Sequence, residues 1–469
     1  MKKIILNTQF KKLLADTLTP VSIYLKLRDK FANTILLESS DYHGTENSFS
    51  YICFAPIARF EVSDGQAHIR LPGEDQATFA ISEKQPAIHL LQHFLNRFET
   101  THAPFNFIYK GAFGYTAYDA VQYFEQIDLK QPQANPSRQI PEMLYQVYQF
   151  IIAINHFKNE LYLFEHLPLG ATSRLSEIEG IIHHRSLPAF HFNTIAEEQT
   201  NLKDIEFMEM VEKGRAHCRR GDVFQMVLSR AFSQRFQGDE FNVYRALRSI
   251  NPSPYLFYFD YGSFKIFGSS PEAQLVVKNR IAEIHPIAGT FKRTGNDQDD
   301  SAMATKLAED EKESAEHVML VDLARNDLSK NGRGVKVQTF KEVQFYSHLI
   351  HLVSKVTAEL DEQTSGLALF ADTFPAGTLS GAPKYKAMEL INRYENQKRG
   401  FYGGAIGFVS FEGSLNHAIM IRSFLSQHNT LYYQAGAGIV NKSNPKNELE
   451  EVNNKLRALR TAIQEAEKL

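Results

Sequence analysis

The stretch YLFYFDYGSFKIFGSSPEAQLVVKNRIAEIHP, residues 255–286, decides the fold class. Tyr255 to Tyr261, Phe264 to Phe267, Gln274 to Lys278 and Arg280 to Pro286 are short runs rich in β-branched, aromatic and other apolar residues. Gly, Ser, Pro and Asn separate them, so they read as successive strands of a meander. Upstream, Phe207 to Arg220 reads as a helix and Val223 to Ser229 as a strand. Downstream come three helices, Asp310 to Lys330, Pro383 to Tyr394 and Pro445 to Lys468. Between the last two lie strands at Ala405 to Phe411, Asn416 to Leu425 and Thr430 to Gln434. Strands in runs and helices in runs predict an α+β protein with large antiparallel sheets flanked by helices, not a βαβ array.

The first third reads mostly as strands, at Thr34 to Leu37, Arg59 to Ser63 and Tyr145 to Ile154. Within it Ile88, Leu91, Phe94, Leu95 and Phe98 have helical spacing. From Leu169 to Leu202 the chain turns Ser-, His- and Glu-rich, which places a boundary between a region 1–168 and a region 200–466. The last helix shows the logic of its ends. Asn444 is the expected N-cap, Pro445 suits the first position, and Val452, Leu456, Leu459 and Ile463 trace one buried stripe.

Composition narrows the function. Across 469 residues, 43% hydrophobic and 22% charged describes a globular chain, and a net charge of −3 offers no basic excess for a nucleic-acid backbone. Two cysteines, Cys53 and Cys218, are too few for a disulfide framework or a zinc ribbon. Neither the N-terminus nor Phe150 to Ile154 has an apolar run long enough for a signal core or a bilayer span, so a cytoplasmic protein is expected. No tryptophan occurs beside 35 Phe and 20 Tyr.

Several stretches have chemical potential. Glu313 and Glu316 share one helical face, as do Glu448 and Glu451. Two like charges ~4 Å apart at an effective dielectric of about 20 repel by about 4 kcal/mol, so a shared site needs a cation, and oxygen-only ligands select Mg²⁺. The other reading is two solvated helix faces. Pro375 to Lys384 forms a stiff Gly- and Pro-rich loop opening a helix, suited to an anion or to simple capping. Gly403, Gly404 and Gly407, with Gly436 and Gly438, sit at strand ends where a ligand could approach the backbone or the strand could bulge. His348 and His351 have metal-ligand spacing, although a catalytic or packed histidine fits better. Arg422 interrupts the apolar run Ile419 to Ser423 and needs an anionic partner, from substrate or from protein.

Taken together, these stretches resemble the chorismate-utilising enzymes, and most closely the branch that forms anthranilate. The resemblance covers nearly the whole chain. It is densest from Asp222 to Lys455, through Gly268 to Glu272, His285 to Thr290, Asp310 to Asp327, His351 to Ser354, Pro375 to Lys384, Arg399 to Gly407 and Gln434 to Lys455. It implies a two-domain α/β sandwich whose sheets enclose a cleft. It also implies Mg²⁺ held by Glu313, Glu316, Glu448 and Glu451 against the ring carboxylate of chorismate. Tyr402 and Arg422 would hold the enolpyruvyl carboxylate, and Gly436, Gly438 and Lys455 the carboxylate oxygens. Thr290, with its neighbour Gly289, and Thr378 would position the ring. Glu272 is the implied acid for the departing C4 hydroxyl, and His351 the acid/base group near the C2 proton.

Two positions separate the sister activities. A covalent lysine typical of aminodeoxychorismate synthesis is replaced by Ala288, and the water-activating lysine of isochorismate synthesis by Gln225. That leaves amination at C2 by ammonia followed by pyruvate elimination. Leu37, Glu38 and Ser39, with Pro254, Tyr255 and Leu256, resemble a tryptophan-binding feedback site in which Glu38 takes the amino group. Asn47 to Ser50 departs from the basic residue many relatives carry there. Neither cysteine sits in a glycine-flanked nucleophile elbow, so ammonia is expected from a separate glutamine amidotransferase subunit, in a hetero-tetramer with two copies of each chain.

Overall fold

Two strand-to-strand joints organise the molecule. The computed structural model describes residues 3–39, 48–100, 105–129, 138–168, 170–184, 186–345 and 349–469. The strands read from the opening stretch form as Tyr255–Asp260, Phe264–Ser270, Ala273–Lys278 and Ile281–Ile284. They do not make one meander. Phe264–Ser270 pairs with Tyr255–Asp260 and with Ser423–Gln427, whereas Ala273–Lys278 pairs with Ile281–Ile284 and with Leu415–Ile419. Pro271 has no N–H to continue the first ladder, and the chain crosses there from one sheet arm to the other.

The second joint corrects another expectation. Asn416 to Leu425 is not one strand but Leu415–Ile419 and Ser423–Gln427, broken where Arg422 takes a left-handed φ of 49°. The two crossings lie side by side. The Ile419 N–H donates to the Glu272 carbonyl at 3.0 Å, and the Ser269 N–H donates to the Arg422 carbonyl at 3.1 Å. Glu272 and Arg422 therefore meet where both chains change sheets.

The strand pair Phe49–Ser63 and Met143–Asn155 joins the arms. One arm continues through Ile35–Glu38, Tyr255–Asp260, Phe264–Ser270, Ser423–Gln427 and Thr430–Ile439 to Gln225–Gly238. The other runs through Gly111–Thr116, Ala405–Ser410, Leu415–Ile419, Ala273–Lys278 and Ile281–Ile284 to Leu349–Glu359, which also takes Ile287–Lys292 and Arg333–Phe345. Ladders thus link the first 168 residues to the later chain, with Leu256 opposite Glu38 and Phe408 opposite Phe113.

Between the arms lies a core dominated by Phe and Tyr, including Tyr51, Phe113, Tyr115, Tyr148, Phe257 and Phe259. Separate cores face outward. One packs the helices Pro20–Arg28, Asp204–Arg220, Phe241–Ile250 and Pro445–Ala466 against the first arm, and the other packs Ala87–Leu95, Glu311–Ser329 and Gly366–Thr373 against the second. The last helix starts as expected, with the Asn444 side chain accepting from the N–H groups of Lys446 and Asn447. Val452, Leu456, Leu459 and Ile463 are buried, joined by Ala462 and Ala466. It ends at Ala466, and Lys468 pairs with Glu465 instead of capping.

Candidate active site

The crossing joints place an acid beside a cation. Burial pushes the Glu272 carboxyl up to about 7, against the lowering pull of the Thr378 hydrogen bond and the charges of Arg422 and Lys455. The Thr378 hydroxyl donates to Glu272 Oε1 at 3.0 Å, which leaves Oε2 free to carry the acidic proton. Burial lowers the Arg422 guanidinium, and Glu272 is the charge that offsets it. Among the described residues no carboxylate forms an ion pair with Arg422 and no group accepts a hydrogen bond from its side chain. That removes the internal-ion-pair reading of Arg422 and leaves a cation whose donors suit a ligand carboxylate.

His351 lies in the strand Leu349–Glu359, directly across the ladder from Thr290. It is buried, and its Nδ1–H donates to the Gly289 carbonyl at 2.9 Å. That bond fixes the tautomer and puts the lone pair on Nε2. Burial and Arg422 both lower its basicity, so the ring is neutral at neutral pH. Gly289 is needed there: its φ is 65°, and a Cβ would lie 2.6 Å from Leu307 Cδ1 and 3.3 Å from Glu313 Oε2. His348 lies outside the described residues.

The other expected substrate residues Tyr402, Gly436 and Lys455 lie near one another. The Gly436 backbone pulls the Tyr402 hydroxyl down against the stronger upward push of burial, and Lys455 Nζ donates to the Gly436 carbonyl at 2.9 Å. Lys455 also pairs with Glu451 at 2.8 Å. Over Gly438 the space belongs to Gln225, whose Nε2 would be 2.4 Å from an added Cβ. Glu313 and Glu316 stand on the helix Glu311–Ser329, begun by Asp310 accepting from the Glu313 N–H, and Glu448 and Glu451 on the last helix. The structure does not gather these four: among the described residues no group of three or more His, Cys, Asp or Glu could hold a metal ion. The donor set, carboxylate oxygen only, is the chemistry that suits Mg²⁺.

At the expected inhibitor site the two sequence elements are brought together. Leu37 and Glu38 pair with Phe257 and Leu256 on adjacent strands. The Glu38 carboxylate is already engaged, however. Arg248 Nε and Nη2 donate to it at 2.9 Å each, and the Tyr244 hydroxyl at 2.6 Å. Tyr244 and Arg248 sit one turn apart on the helix Phe241–Ile250, which sequence reasoning missed although their i, i+4 spacing was visible.

Sequence reasoning also missed the support of the Thr378 loop. Arg399 is 2% exposed in its side chain and donates twice to Glu395, at 2.9 and 2.6 Å, once to the Leu379 carbonyl at 2.6 Å and once to the Val227 carbonyl at 2.8 Å. Glu395 further accepts from the Ser229 N–H and hydroxyl at 2.9 and 2.6 Å. The i, i+4 spacing of Glu395 and Arg399 was the available signal.

A buried acid raised toward neutral pH, a histidine of fixed tautomer and a buried guanidinium whose donors no described group accepts are a combination that suits a small anionic ligand. Residues 33–461 match the chorismate binding enzyme family. The chain is 35% identical to anthranilate synthase component 1 of Aquifex aeolicus, over 98% of this chain and 94% of the relative. Its structure superposes on anthranilate synthase component I from Streptococcus pneumoniae with a TM-score of 0.77 at 31% identity, covering 96% and 99% of the two chains. The isochorismate synthase MenF of Escherichia coli shares the fold, with a TM-score of 0.74 at 18% identity over 99% and 96%. The chain belongs to the chorismate-binding enzymes, in the branch of the anthranilate synthase component 1 chains.

Proposed function

We propose that this chain converts chorismate and ammonia to anthranilate and pyruvate. The observation that supports this most directly is Glu272. Ammonia forms the new bond at C2 as the C4–O bond breaks, and the hydroxyl leaves as water only if it receives a proton. An acid near 7, oriented by Thr378 and facing Arg422, can supply it. In the second step the C2–H and C3–O bonds break. Neutral His351 takes the C2 proton on Nε2, the ring becomes aromatic, and the released enolpyruvate is protonated to pyruvate. Ala288 and Gln225 stand where a covalent or a water-activating lysine would divert the reaction.

Arg422 and Tyr402 bind the enolpyruvyl carboxylate, and the Gly436–Gly438 backbone with Lys455 the ring carboxylate. Thr290 and Thr378 border the ring. Glu313, Glu316, Glu448 and Glu451 would hold Mg²⁺, which supplies charge neutralisation for the ring carboxylate. Ammonia comes from a glutamine amidotransferase subunit in a hetero-tetramer, and the assembly works in the cytoplasm. No helix among the described residues is long and apolar enough to cross a membrane.

The test is fluorescence. The purified chain with chorismate, Mg²⁺ and ammonium should produce anthranilate, and a chelator should stop it. Glutamine alone should give none. Aminodeoxychorismate or isochorismate as product would overturn the reading. His351→Ala is expected to lower kcat about 10²–10⁴-fold; an unchanged rate would reduce His351 to packing.

L-Tryptophan is the proposed inhibitor, at Leu37, Glu38, Ser39, Pro254, Tyr255 and Leu256. Because the chain has no tryptophan, bound inhibitor is its only indole emitter. Addition of L-tryptophan should give a blue-shifted, saturable emission that Glu38→Ala removes. Equal binding by that variant would move the inhibitor elsewhere.

A further inference from the structure

A cavity of about 30 Å³ lies against Glu272, walled also by Gln274, Asp327, Thr373 and Thr378. Its lining shares Glu272 and Thr378 with the proposed active site but does not include His351, Arg422, Tyr402 or Lys455. Gln274 is 3% exposed, and no protein group donates to its Oε1. The amide orientation is fixed by its neighbour. The Thr373 hydroxyl donates to the Phe370 carbonyl, so it can only accept from Gln274, and Nε2 faces it at 3.4 Å. The unpaired end is therefore the acceptor. The cavity wall is mostly apolar, but Glu272, Gln274, Asp327, Thr373 and Thr378 bring polar groups to it, and a buried unpaired carbonyl beside a space with room for one water is a setting in which proteins hold an ordered water.

Asp327, on the same cavity, is the partner of a buried amine. Lys384 Nζ donates to Asp327 Oδ2 and to the Thr373 carbonyl, both at 2.7 Å, and the two charged side chains are 10% and 6% exposed. We propose that a water anchored on Gln274 Oε1 relays protons between Glu272 and the Asp327–Lys384 pair, which restores the acid form of Glu272 between turnovers. The inference rests on the proposed role of Glu272. After Glu272 has given its proton to the departing C4 oxygen, the water gives a proton to the Glu272 carboxylate and takes one from Asp327. Asp327 has taken that proton from the Lys384 ammonium, which regains its own from solvent. Burial raises Asp327 and lowers Lys384, so it narrows the gap between the ion pair and the neutral pair that the relay uses. Asp327 and Gln274 act through Glu272 and touch no substrate.

The experiment pairs a high-resolution crystal structure of the wild-type chain with kinetics of Asp327→Asn and Gln274→Met. Density for one water within hydrogen-bonding distance of Gln274 Oε1 is expected. Both variants should lose about tenfold in kcat with the KM for chorismate unchanged, and should show a larger solvent deuterium isotope effect on kcat as reprotonation becomes limiting. Gln274→Met leaves the ion pair intact and decides the matter if Asp327→Asn fails to fold. A dry cavity overturns the relay, and so does a wild-type kcat and isotope effect in Gln274→Met. A wild-type chain that makes no anthranilate would defeat the proposed function instead, while the water density would still judge the cavity.

Discussion

Glu272→Gln is expected to abolish most turnover and, at alkaline pH, to make the protein more stable. Gln keeps the shape and an oxygen that can accept from Thr378, but it has no acidic proton. Loss of a general acid should lower kcat by about 10²–10⁴. The stability effect follows from linkage. The folded carboxyl sits near 7, raised from its ordinary value of 4.5. Between those values the folded state holds a proton that the unfolded state has lost. Stability therefore falls as pH rises from 4.5 through 7 and levels off above it. The full difference is on the order of 3 kcal/mol, at 1.36 kcal/mol for each pH step between the two values. Urea unfolding at pH 8.5 should show the Gln variant stabilised by up to that amount, and at pH 4 the two proteins should coincide. A variant destabilised equally at both pH values would mean that Glu272 serves packing and is not held as a buried acid. In the wild type, kcat/KM should fall above about pH 7 as the free enzyme loses this proton.

Arg399→Met is expected to be among the most destabilising single changes in the chain. The guanidinium satisfies both oxygens of buried Glu395 and two backbone carbonyls from different elements. Removing one partner of a buried, hydrogen-bonded pair leaves an uncompensated charge and costs about 3–5 kcal/mol. The loss should also reach the chemistry, because Leu379 follows Thr378, the residue that orients Glu272. Urea unfolding and kcat should fall together. Adding Glu395→Gln should recover part of the stability, since the orphaned charge goes with it. Full additivity of the two substitutions would show that the pair is not coupled.

The sequence was informative where a pattern repeats. The stripe Val452, Leu456, Leu459 and Ile463 and the cap at Asn444 follow from helical spacing and are found as read. The glutamate pairs were visible for the same reason. Glu272 and His351 have no such pattern. Each is a single polar residue at or within a strand, and only the resemblance singled them out. The break at Arg422 was hidden because Asn416 to Leu425 has strand-like composition throughout, and a positive φ at one residue leaves no trace in hydropathy. The reading of Glu38 was incomplete because the helix that supplies Tyr244 and Arg248 lies more than 200 residues away in sequence.

The sequence by itself determined the α+β class, the strand and helix content around residues 255–286 and the family, and through the resemblance it singled out Glu272, His351 and Arg422 as candidates. Tertiary structure alone decided what those residues are. Glu272 becomes an acid near neutral pH because two strands cross between sheet arms beside Arg422 and because burial disfavours its charge. Arg422 is left with its donors unengaged by any described group, Glu272 being the nearby charge, and Glu38 becomes half of an ion pair because Arg248 reaches it. Short-range pattern is set by backbone periodicity along the chain, whereas the protonation state and partner of a side chain are set by what the fold brings within a few ångströms of it.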